Sequence, residues 1–145
     1  MNEEGFKQRT KQLALRIIRL VQALPQTVTA QVIGKQILRS GTSVGANYRA
    51  ACRAKSTADI LHKLAIVEEE ADETLYWLEL LVEAALISET KLKSLILEVN
   101  EITAMTVASI KTIRNSQNVL LPKSKIQNPK SKIQNPKCLT IAGTK

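Results

Sequence analysis

Aromatic residues are nearly absent from this chain: Phe6, Tyr48, Tyr76 and Trp77 are the only ones in 145 residues. The core must then be built from Leu, Ile, Val and Ala, which suits packed helices. A protein that reads single strands by stacking bases on aromatic rings is disfavoured. Two cysteines, Cys52 and Cys138, are too few for a disulfide scaffold, and the expected compartment is the reducing cytoplasm. No apolar run approaches the ~20 residues of a membrane helix, and the polar start MNEEGFKQRT is not a signal peptide. No membrane partner is therefore expected. Histidine occurs once, as His62. Asp59 and His62 have the i, i+3 spacing of one arm of a di-iron bundle site, but such a site needs two arms. Neither a metal nor another cofactor is expected. GTSVG at 41–45 lacks the Gly-Lys-Ser/Thr and the preceding strand of a phosphate-binding loop. Cys52 and His62 fall near one another in hairpin register, yet no orienting group or oxyanion hole accompanies them. No catalytic residue is assigned, and the chain reads as a non-enzyme.

What is present is helical periodicity. The first segment carries Phe6, Leu13, Ile17, Leu20, Val21 and Leu24 and stops at Pro25. The second runs from about Val28 to Ala54, with Ile33, Ile37, Gly41, Val44, Tyr48 and Ala51 on one face. The third alternates four and three without a break through Ile60, Leu64, Val67, Ala71, Thr74, Leu78, Leu81 and Ala85, the seam of a left-handed bundle. The fourth repeats it with Leu92, Leu95, Val99, Ile102, Thr106, Ser109 and Ile113. Ser56 is placed to cap the third helix, with Asp59 in the capping-box position, and Ser88 to cap the fourth. Short connections force neighbouring helices antiparallel. The fold class is all-α: an antiparallel up-and-down four-helix bundle over residues 1–116. Residues 117–145 read as a basic, low-complexity, disordered tail, where KSKIQNP occurs twice in tandem at 123–129 and 130–136.

The formal charge of +8 divides unevenly. The tail holds six Lys and no acid. Residues 1–56 hold ten basic and two acidic residues, and residues 57–87 hold Lys63 against eight acids. Attraction between bundle neighbours of opposite sign is one account. The other is a phosphate-binding face made by Lys7, Arg9, Lys11, Arg16, Arg19, Lys35, Arg49, Arg53 and Lys55.

The second helix has two further features. Gly34, Gly41 and Gly45 share a face, and each costs roughly 1 kcal/mol relative to Ala in a helix interior. Close approach of another helix is the expected reason. Arg39, Ser43 and Asn47, spaced by four, share another side. If the second and third helices turn near Lys55–Ser56, Arg39 meets Glu70 or Glu73 and Ser43 meets Glu69 or Glu70. The expectation is a polar network of Arg39, Ser43, Asn47, Glu70 and Glu73 that fixes register. Loss of Arg39 is costly if the pair is buried and cheap if it is exposed.

Three runs, FKQRTKQLALRIIRLVQALP at 6–25, LRSGTSVGANYRAA at 38–51 and EADETLYWLELL at 70–81, resemble the four-helix bundle proteins first noticed in intervening sequences of 23S rRNA genes. Arg39, Ser40, Ser43, Gly45 and Asn47 stand at the motif positions. The resemblance implies a ring-shaped homopentamer. It also implies kinship with accessory proteins of diversity-generating retroelements, which bind a reverse transcriptase and nucleic acid. The leading functional expectation is a non-enzymatic oligomeric scaffold that binds nucleic acid, structured RNA above all, through its basic surface. The alternative is a protein–protein adaptor docking a partner enzyme such as a reverse transcriptase.

Overall fold

The computed structural model describes residues 1–120. Four helices follow one another: α1 Glu3–Gln22, α2 Val28–Cys52, α3 Thr57–Glu83 and α4 Glu89–Leu120. Each packs on the next, and α4 returns to α1 through a sparser seam. This is the expected up-and-down bundle. α4 continues helically through Leu120, past the expected boundary at Ser116, and the KSKIQNP repeats lie outside the described residues. None of these helices is long and apolar enough to cross a membrane.

The seams are buried over most of their length, but Ile60 and Ile113 are only partly buried and Ala85 is exposed beyond the end of α3. Leu64, Val67, Ala71, Thr74, Leu78 and Leu81 of α3 meet Leu92, Leu95, Val99, Ile102 and Thr106 of α4 in the interior. The α4 seam ends on Ile110, with Ser109 exposed. Thr10, Thr74 and Thr106 occupy apolar seam positions because each hydroxyl bonds to a carbonyl one turn back on its own helix.

Caps explain the helix starts. Asn2, Thr27 and Ser56 accept backbone N–H bonds at the starts of α1, α2 and α3. At the start of α4 the Ser88 carbonyl accepts from Lys91 N–H at 3.1 Å. α3 ends in a Schellman motif: Leu86 N–H donates to the Leu81 carbonyl and Ala85 N–H to that of Val82, each at 3.0 Å. Its left-handed residue is Ala85, at φ 57°, where a Cβ costs about 1–2 kcal/mol. Ala85→Gly removes that cost and loosens the unfolded chain. Denaturant unfolding is expected to show a gain of about 0.5–1 kcal/mol.

The α2 glycines mark where α1 comes close. α2 is unbroken through all three. A Cβ on Gly41 would lie 2.8 Å from Ile17 Cγ1, and one on Gly45 would lie 3.4 Å from the Thr10 backbone. This approach sets the floor of the surface groove described next.

Candidate nucleic-acid interface

Where α1 and α2 run side by side, small residues leave a surface groove of about 510 Å³. Ala14 from α1 and Thr42, Gly45 and Ala46 from α2 lie along it. Lys7 and Lys11 are one helical turn apart on α1, and Arg49 and Arg53 are one turn apart at the end of α2. All four line the groove, with Gln8 and the single acid Glu4. Lys7 is engaged by the first turn of its own helix: Glu3 lies 2.5 Å away and Glu4 4.0 Å. Glu3 holds the Lys7 ammonium above its ordinary pKa. Lys11, Arg49 and Arg53 make no ion pair among the described residues, and all three are exposed.

The other basic residues named from sequence go elsewhere. Arg9 is engaged by carboxylates of its own bundle. It crosses to α4, where Nε donates to Glu98 Oε1 at 2.6 Å and an Nη to Glu98 Oε2 at 2.9 Å, with Glu101 as a second partner. The Arg9 guanidinium holds the Glu98 carboxyl below its usual range. Arg16 donates to Ser94 Oγ on α4 at 2.9 Å. These two side chains bridge the sparse α1–α4 seam. Arg19 is exposed in the last turn of α1. Lys35 lines a smaller groove with Val21, Leu24 and Pro25. Lys55 is exposed in the α2–α3 connection, two residues beyond Arg53.

The polar network on α2 and α3 is narrower than expected. Arg39 reaches both predicted carboxylates, Glu70 at 3.2 Å and Glu73. Ser43 and Asn47 do not join it. Ser43 donates to the Arg39 carbonyl at 2.7 Å, and Asn47 Nδ2 to the Ser43 carbonyl at 2.9 Å. Both bonds stay within α2. The buried cross-helix link runs from Thr74 to Ser40: the Thr74 hydroxyl shares its one proton between Ser40 Oγ, at 2.9 Å, and the Glu70 carbonyl, while Ser40 donates to the Gln36 carbonyl. Arg39, then the Trp77 indole N–H, holds Glu73 below the ordinary carboxylate range. That stability is present above the ordinary carboxylate pKa and lost as pH falls through the depressed value. Half of the Arg39 side chain is exposed, at 49%, so the cheap case applies. Arg39→Ala is expected to move the melting temperature by less than about 4 °C.

Cys52 is not paired with His62. Burial pushes its thiol up, and the groups acting on it are Tyr48, Glu3 and Lys7. His62 is exposed on α3. A raised thiol pKa is the opposite of what a nucleophilic cysteine needs.

The model of the 23S rRNA-intervening sequence proteins matches residues 4–108. This chain belongs to that family. The match covers α1 to α3 and most of α4, including both rows of groove cations. A crystal structure from Bacteroides thetaiotaomicron, described as a protein of unknown function from the S23 ribosomal protein family, is 40% identical. The similarity covers 77% of this chain and 99% of that one, with a TM-score of 0.72. A comparison with curated proteins gives no match.

Proposed function

We propose that this family member is a non-catalytic, self-associating scaffold that binds nucleic acid, structured RNA above all, through the α1–α2 groove. One observation carries the reading. Four cations converge on one groove floored by small residues, and three of them have no carboxylate partner among the described residues. A cation paired within its own fold has already made its electrostatic contact. An unpaired one is available to neutralise phosphate and release counterions. Purification of the tagged full chain tests this. Recovered RNA, lost on nuclease treatment, is the expected result. A polypeptide that persists after nuclease treatment would favour the adaptor reading, with a reverse transcriptase as the partner implied by kinship with retroelement accessory proteins.

The scaffold reading includes a homopentamer, which would present the groove five times and make a modest patch avid. Leu61, Leu75, Val82, Ile96 and Ile110 lie beside the seam residues in sequence, where a second apolar stripe would stand. Ile110 is buried, and the other four pack at the edges of their own bundle. Val28, Val32, Tyr76 and Leu97, on α2, α3 and α4, are all more than half exposed, and a partner copy has these side chains to cover. Sedimentation is expected to show a ring of five. A species near 16.0 kDa at micromolar concentration would contradict it.

A further inference from the structure

We infer that the α1–α2 groove takes one backbone strand of a double helix, with the bases turned away, in preference to an unstacked single strand. The inference rests on the nucleic-acid reading above and adds the form of the ligand.

The cations form two rows. Lys7 and Lys11 stand on one wall and Arg49 and Arg53 on the other, each pair one helical turn apart. Neighbours at i, i+4 are about 5–6 Å apart at Cβ. Two parallel rows suit a ligand whose charge repeats along a line, as phosphates do along a backbone. Between the rows Ala14, Gly45 and Ala46 present at most a Cβ, so a backbone can settle between the walls.

Stacking of bases on aromatic rings has nothing to use here. No aromatic residue lines the groove. Phe6 and Tyr48 are spent on one another, edge to face with centroids 4.5 Å apart, and Phe6 is buried. Tyr76 and Trp77 pair on α3, a helix that contributes nothing to the groove lining. Thr42 has already given its hydroxyl proton to the Leu38 carbonyl at 2.6 Å. Sequence-tolerant single-strand binders gain about 1–3 kcal/mol per base from aromatic stacking. A duplex has stacked its bases on each other and offers a fixed row of phosphates, so it needs only what this groove supplies.

Glu4 stands in the same lining and, with Glu3, holds Lys7. The Thr10–Gly45 and Ile17–Gly41 contacts set a register in which Arg53 stands at this same end, so Glu4 repels phosphate there and leaves Lys11 and Arg49 as the contacts furthest from an acid.

The test is fluorescence anisotropy on the full chain at about 50 mM salt, using a duplex RNA of about 20 bp, each of its strands alone, and the matching DNA duplex. The expected result is duplex RNA at least about tenfold tighter than either strand, with duplex DNA close to it because the backbone is what is held. Any cationic surface favours a duplex somewhat, so the deciding arm is Lys11→Ala/Arg49→Ala/Arg53→Ala. All three side chains are exposed, and an unchanged melting temperature verifies the fold. In that variant the duplex advantage should shrink to less than about threefold. Glu4→Gln should tighten duplex binding. Strands bound as tightly as the duplex would overturn the inference while leaving the nucleic-acid reading intact. So would a duplex advantage that survives the triple change. No binding to any of the four probes would overturn both.

Discussion

Gly41→Val is expected to destabilise the bundle by about 2–3 kcal/mol. The position lies mid-way along α2, facing α1. A Cβ there would meet Ile17 Cγ1 at 2.8 Å and Cγ2 at 3.1 Å. Ile17 is fully buried, and its branch point cannot swing aside without moving α1. Valine adds two further methyls to the same contact. Its helix propensity is better than that of glycine by a few tenths of a kcal/mol, too little to offset the clash. Gly34→Ala provides the contrast. Its Cβ would meet Leu24 Cδ1 at 2.9 Å, the far end of a flexible side chain beside the α1–α2 connection. Leu24 can rotate, and the propensity gain of roughly 1 kcal/mol should leave Gly34→Ala neutral or stabilised. Denaturant unfolding of both variants reads the difference. Equal losses would show that the two helices respond as a rigid pair.

Neutralising the groove should have the larger functional effect. With Lys11, Arg49 and Arg53 changed to Ala, about three phosphate contacts are lost. At about 0.9 in slope per contact on a duplex, affinity near 150 mM salt should fall on the order of a hundredfold. Arg9→Ala makes a useful comparison. Arg9 is engaged by Glu98 and Glu101, so its removal should cost stability at the α1–α4 seam and leave intrinsic phosphate binding nearly unchanged. A sequence-based choice of basic residues would treat the two kinds of cation alike, whereas the structure separates them.

That separation shows which parts of the account can be read from sequence. The α3 seam was legible because a 4-3 apolar alternation has one packing solution. The Arg39 pairing was legible because the connection between α2 and α3 is short, which fixes the register of one helix against the other. Arg9 had no such guide. Its partners on α4 are 89 and 92 residues away, and nothing local sets how α1 lies against α4. Ser40 and Ser43 show the limit of register alone. Both are near the right height, but helical rotation turns Ser40 inward to Thr74 and leaves Ser43 bonded to its own helix. The convergence of Lys7, Lys11, Arg49 and Arg53 depends on the rotation of both α1 and α2. The glycine face was the available signal, since Gly41 and Gly45 state which side of α2 meets α1. Ala85 gave no sign of its left-handed backbone, because glycine is the usual residue there.

The most direct test of the groove as the nucleic-acid interface is the salt dependence of duplex RNA binding by the full chain, with and without the three groove changes. The six Lys of the tail contribute equally to both proteins, so they cancel in the comparison. The slope of log K against log salt should be shallower by about 2.5–3 in the Lys11→Ala/Arg49→Ala/Arg53→Ala variant. Equal slopes would place the phosphate contacts outside the groove and contradict the account.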